Sequence, residues 1–182
     1  METQPMRISE LNEQLAREER VFNEWNDWSL VEPRIAAALD QVLTDDFALL
    51  EDGTGERSIA HRLAVYLERH FPGSHIDCEF NRQGDVDERV TKRVSPSPPV
   101  LSESRRGQGT ADVTPDIIIH RRRNRRNLLA IEVKPSGSDD LPRDREKLRR
   151  YLTEPYLVYA FAVLITYRND EAAFDGIERV TA

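Results

Sequence analysis

Apolar residues recur at three- and four-residue spacing through the first third of the chain and then gather into short β-branched runs. Over residues 7–29 the spaced set is Ile8, Leu11, Leu15, Phe22, Trp25 and Trp28, the stripe of an amphipathic helix. A second stripe over 33–50 uses Ile35, Leu39, Val42, Leu43, Phe47 and Leu50, with Pro33 suited to a first helical turn. Glu51-Asp52-Gly53-Thr54-Gly55 reads as a turn. A third helix is predicted from about Glu56 to His70, with Ile59, Leu63, Tyr66 and Leu67 on one face and Pro72-Gly73 closing it. The period then changes to two: Ile76, Cys78 and Phe80 alternate with polar residues as in a strand. Val90 to Val94 predicts a short partner strand. The Pro-, Ser- and Gly-rich stretch that follows reads as a flexible insert over about 93–111. Asp139 or Asp140 is placed to cap a helix running to about Leu152. The apolar run from Tyr156 to Tyr167 predicts buried central strand, and Ile177 to Val180 an edge strand. The expected architecture is α/β: a mixed β-sheet flanked by helices, with residues 1–30 as an N-terminal helical extension and 31–182 as the main domain.

Two of the short runs carry charge where a core is expected. Asp116 follows Pro115 and opens Ile117-Ile118-Ile119, and Glu132-Val133-Lys134 continues Leu128-Leu129-Ala130-Ile131. A polar turn, Arg121 to Asn127, separates them. If the two runs form a hairpin centred on Asn124, cross-strand partners have numbers summing to 248, which sets Asp116 opposite Glu132. Like charges directly opposed in an antiparallel pair destabilise it. Lys134 lies two residues beyond Glu132 and shares its face. Two acids and an amine on one face of a buried hairpin point to a divalent cation held by oxygen ligands.

Composition changes the picture in one respect. The formal net charge is −7, which argues against a polyanionic partner, but residues 89–150 carry 16 basic and 8 acidic side chains. The basic excess therefore sits around the hairpin, and local field governs attraction to nucleic acid. The plain alternative is a set of arginines solvating an exposed turn and helix. A single cysteine, Cys78, excludes an internal disulfide and suits a reducing, cytoplasmic setting. No apolar signal core or membrane-length run is present, and neither glycine-rich phosphate loops nor paired-cysteine zinc spacing occurs. His61, His70, His75 and His120 show no metal spacing.

Pro115, Asp116, Glu132 and Lys134, in their strand context, resemble the motif of the PD-(D/E)xK nuclease superfamily, the restriction-endonuclease-like fold. The similarity extends to Gly55–Leu63, which looks like the first core helix of that family, and to His75–Phe80, which looks like its first strand. The resemblance implies a nuclease, an endo- or exodeoxyribonuclease dependent on Mg²⁺ or Mn²⁺, acting on DNA with RNA not excluded. It implies Asp116, Glu132 and Lys134 as catalytic residues. Asp116, Glu132, the Val133 carbonyl and Glu56 are the implied metal ligands. Arg82, Lys92, Arg121, Arg122, Arg123 and Lys147 are candidates for contact with phosphate.

Each assignment has a plainer counterpart. Asp116 can instead form an ion pair with Lys134, and Glu132 can occupy a solvated strand face. Glu56 can serve only as a favourable acid in a helix first turn. Trp25 and Trp28 suit helix packing better than base stacking. The chain as a whole can be a catalytically silent nuclease-fold subunit that binds nucleic acid or protein, with the helix over 7–29 as a homodimer or partner contact.

Overall fold

A computed structural model describes residues 25–79, 82–83, 90–91, 114–122, 127–154, 157 and 159–182. Residues 7–24 of the helix predicted over 7–29, the insert over 93–111, Lys92 and Arg123 lie outside the described residues; at the end of that predicted helix, Trp25 and Asn26 form a turn and Asp27 is extended.

The order of elements is α1 (Trp28–Asp45), α2 (Ala48–Glu51), α3 (Glu56–His70), β1 (His75–Cys78), β2 (Arg82–Gln83), β3 (Val90–Thr91), β4 (Ile117–His120), β5 (Asn127–Pro135), α4 (Leu141–Thr153), β6 (Tyr159–Arg168) and β7 (Ala173–Val180). Five strands form one mixed sheet in the order β1-β4-β5-β6-β7, while β2 and β3 pair separately. The β5–β6 pair is parallel and its crossover is α4; the other neighbours in the large sheet are antiparallel. Among the described residues no helix is long and apolar enough to cross a membrane.

Helices cover both faces of the sheet, as the pattern predicts. On one face α1 and α3 pack Val31, Ile35, Val42, Ile59, Leu63 and Leu67 against Ile117, Ile119, Ile131, Val163 and Ile165. On the other, Leu148 and Tyr151 of α4 meet Ile118, Ala130, Ala162 and Leu164. Burial on both faces explains why β4, β5 and β6 are almost continuously apolar rather than alternating. Side chains of this size each contribute about 1.5–3 kcal/mol when fully buried, so the sheet is held mainly by this double covering. The outer strand β7 carries exposed Asp175, Glu178 and Arg179, charges that oppose edge-to-edge pairing.

Three boundaries differ from expectation. First, α1 begins at Trp28, so Pro33 is its sixth residue and the line between 30 and 31 falls within it. Asp27 moves the start upstream: it is extended, and its carboxylate accepts the Ser29 N–H at 3.0 Å. Pro33 costs one backbone hydrogen bond, which the buried Val31 and Ile35 on either side offset. Second, the same helix ends at Asp45, and Leu50 belongs to the separate short α2. Third, α4 starts just after Asp140, but the Asp140 side chain makes no cap bond; its N–H instead donates to Ser138 Oγ at 3.2 Å. Helix α3 and its closure match the reading, with Gly73 in the left-handed region at φ 79° just past the end.

Candidate functional site

Strands β4 and β5 pair with Ile117 opposite Ile131, Ile118 opposite Ala130 and Ile119 opposite Leu129, the register expected from the sequence. A shift near the turn then sets His120 opposite Asn127. One step outward from Ile117, Asp116 leaves the strand, and its Oδ2 accepts the Val133 N–H at 2.8 Å. In a strand the N–H and C=O of one residue point to the same edge, so the Val133 carbonyl is also directed toward the Asp116 side.

Glu132 is completely buried. Lys147 Nζ stands 2.6 Å from its Oε1, an ion pair by distance. That approach does not meet hydrogen-bond geometry, and neither Glu132 oxygen accepts a hydrogen bond. Burial, and then the neighbouring charge of Asp116, push the Glu132 carboxyl up to about 8, against the pull of Lys147. Burial likewise raises Asp116. Lys134 Nζ donates to Glu56 Oε1, so the first residue of α3 reaches the end of the sheet. Burial opposes the Lys134 charge, but the bond to Glu56 and the field of Asp116 outweigh it and raise its pKa. The expected alternative, an Asp116–Lys134 ion pair, is replaced by Lys134–Glu56 and Asp116–Val133.

Two residues were missed. Asp144 is 6% exposed, its Oδ2 has no hydrogen-bond partner, and burial raises its pKa. It interacts electrostatically with Lys134, Lys147 and Glu56. The available signal was spacing: Asp144, Lys147, Leu148 and Tyr151 share one face of α4, so Asp144 is an acid on an apolar stripe. Tyr167 is buried on the α3 face, where it feels Glu56, Lys134 and Asp116; the alternation Phe161, Val163, Ile165, Tyr167 carried that signal.

The phosphate-contact candidates fare differently. Lys147 belongs to the site itself, with a side chain only 11% exposed. Arg121 is buried, and its Nη1 donates to the Gly73 carbonyl at 2.6 Å, tying β4 to the end of α3. Arg122 is exposed but donates to both oxygens of Asp77. Lys147 and Arg121 are held inside the protein's own network, and Arg122 is paired at its surface. Arg82 lies in β2, where the backbone alone is described. His120 also turns inward: its Nε2–H donates to Asp77 Oδ2 at 2.7 Å.

The donor set suits a hard divalent cation. Asp116, Glu132 and the Val133 carbonyl offer oxygen only, and the unbonded, fully buried Glu132 oxygens are what such an ion would satisfy. Among the described residues no three His, Cys, Asp or Glu side chains gather as a ready ligand cluster, so the fit rests on two carboxylates and a backbone carbonyl. Beside Asp116, a cleft of about 220 Å³ opens between α3 and β1, lined by Arg57, Ala60, His61, Cys78 and Glu79.

Compared with protein-family models, with curated proteins and with solved structures, the chain matches none.

Proposed function

We propose that this protein is a metal-dependent phosphodiesterase of the PD-(D/E)xK, restriction-endonuclease-like class, acting on DNA. The observation that carries the reading is Glu132. It is a fully buried carboxylate that meets the Lys147 ammonium at 2.6 Å but has no well-aligned hydrogen bond to either oxygen and feels the charge of a second acid, Asp116, an arrangement that a bound cation would relieve. Mg²⁺ or Mn²⁺ would be held by Asp116, Glu132 and the Val133 carbonyl, and when bound it supplies Lewis acidity and a more acidic water. Lys134 is kept protonated by Glu56 and Asp116, so it stabilises negative charge on the phosphoryl oxygens and does not act as a base. Lys147 balances Glu132 from α4, and Glu56 orients Lys134 from α3.

Plasmid, linear duplex, single-stranded DNA and RNA incubated with Mg²⁺, Mn²⁺ or EDTA test the reading. Cleavage is expected with metal and none with chelator; undiminished cleavage in EDTA overturns the metal mechanism. A melting series gives a second readout. An ion at a hundredfold excess over Kd adds about 2.7 kcal/mol of stability to the parent. Asp116→Asn relieves the repulsion with Glu132, so it should melt at or above the parent in EDTA yet gain little from metal.

One observation favours a silent, binding-only fold: both site lysines are already paired, Lys134 with Glu56 and Lys147 with Glu132. Under that reading DNA binds, metal shifts nothing and no strand is cut.

A further inference from the structure

The cleft that Asp116 lines extends away from the metal-ligand set, and its other lining residues have no part in the chemistry above. It lies against the first two turns of α3, where Arg57 and His61, four residues apart, share one helix face. Its walls also include Ala60, Cys78, Glu79 and Asp116. At about 220 Å³ it is smaller than a pocket for a whole small molecule, about 300–1,000 Å³. It is therefore sized for a group on a longer ligand. The helix N-terminus and Arg57 favour negative charge in that group, the lining carboxylates Glu79 and Asp116 oppose it until Arg57 leaves Glu79 and a cation neutralises Asp116, and Ala60 gives it a less polar side.

Glu79 is held in place by its backbone. It is a non-glycine residue at φ 48°, in the left-handed region, a strained conformation that persists where the surroundings impose it. Its N–H donates to the Asp116 carbonyl at 3.1 Å, so the turn that holds Glu79 is bound to the residue that opens the site. Its carboxylate meets Arg57 Nε at 2.8 Å, with side chains 53% and 88% exposed. An ion pair that open contributes little, because water screens it. A phosphate offers the same guanidinium a two-pronged, charge-assisted contact that is stronger. Arg57 is thus held near the cleft by a partner that it can leave at little cost.

We infer that this cleft seats the sugar and phosphate of the nucleotide next to the scissile phosphodiester, with Arg57 exchanging Glu79 for that phosphate. The inference rests on the nuclease reading, and it adds a substrate-positioning role for Arg57 and a competing role for Glu79. Cys78 supplies a direct probe, because it is the chain's single cysteine, is exposed and lines the cleft. Burial and the nearby acids push its thiol up to about 11, so labelling is best followed at mildly alkaline pH.

The experiment measures the rate of Cys78 modification by a maleimide with and without a short DNA duplex or single strand. It uses Lys134→Ala protein in Mn²⁺ so that the strand is not consumed, and saturation is read by fluorescence anisotropy. DNA is expected to slow labelling several-fold. In the parent background Arg57→Ala should raise KM about tenfold with kcat little changed, in line with one lost charged hydrogen bond. Arg57→Lys should recover part of this, and Glu79→Gln should lower KM. Saturating DNA that leaves the labelling rate unchanged overturns the inference, as does the absence of any DNA binding. So does an Arg57→Ala variant that loses kcat at constant KM. Protection of Cys78 by DNA in a protein that cleaves nothing under any metal upholds the cleft and removes the nuclease reading. Cleavage without protection does the reverse.

Discussion

The two ends of β4, four residues apart, bury similar side chains in opposite states. At the His120 end, Asp77 accepts from His120 at 2.7 Å and from both prongs of Arg122. Despite partial burial, these partners hold the Asp77 carboxyl well below the usual carboxylate range. At the Asp116 end, Glu132 is more deeply buried, accepts no hydrogen bond and has its carboxyl pushed up to about 8. Burial alone raises both acids; what differs is whether donors answer it. An acid whose donors are supplied by its own chain fixes a strand in place. An acid answered only by the Lys147 ammonium among the described residues, with the charge of a second acid beside it, keeps its proton far above the usual range.

That comparison predicts a division between activity and stability. Lys134→Ala should lower turnover about 10²-fold or more, the effect of removing one donor to transition-state charge. Its melting temperature should move little, since Lys134 pairs with the partly exposed Glu56. At the other end, Asp77→Ala leaves the buried His120 and Arg122 without their shared acceptor. It should cost about 1–3 kcal/mol in denaturant unfolding with turnover per folded molecule unchanged. If Asp77→Ala abolishes cleavage while remaining folded, or Lys134→Ala cleaves at the parental rate, the two ends are wrongly divided.

A smaller effect separates them by pH. Glu132 titrates at an ordinary 4.5 when unfolded and at about 8 when folded. Between those values the folded state holds the extra proton, so stability falls as pH rises from 4.5 to 8. Asp77 has the opposite sign, and its contribution is lost only as pH falls below the usual carboxylate range. His75, lowered by burial, adds a modest rise in stability up to its ordinary value near 6.5. Melting curves in EDTA should therefore decline across this window in the parent. Glu132→Gln should remove most of the decline and melt higher at pH 8. A slope unaffected by Glu132→Gln would show that Glu132 is answered by a donor after all.

Much of this contrast was legible in the sequence, for a definite reason. The β4–β5 register follows from the two apolar runs and the polar turn, because a slip of one residue would expose every buried isoleucine. That register carries Asp116, just outside the strand, alongside β5, where its carboxylate takes the Val133 N–H and its charge reaches Glu132. Helix α3 was likewise legible, from an uninterrupted stripe and a Pro-Gly stop. The partners of the charges were not. Whether Lys134 meets Asp116 or Glu56, and whether Lys147 faces solvent or Glu132, depends on how α3 and α4 cross the end of the sheet. No local pattern encodes that packing. Arg121 shows the same limit: a basic turn predicts solvent, yet tertiary packing buries one guanidinium against the Gly73 carbonyl. In α1, propensity set the start at Pro33, but the Asp27 cap and the buried Val31 overrode it.

The bond between Lys134 and Glu56 joins residues 78 apart in the chain, whereas Asp116 and Val133 are 17 apart. Closing the longer loop costs more chain entropy, and hairpins form on a microsecond timescale. During folding the opposed acids therefore meet before α3 delivers the carboxylate that orients the lysine. A nascent chain holds an acidic hairpin with a poorly placed ammonium group, and the constellation is finished only when the amino-terminal helices dock. Completion of this constellation is thus timed by the slowest long-range closure.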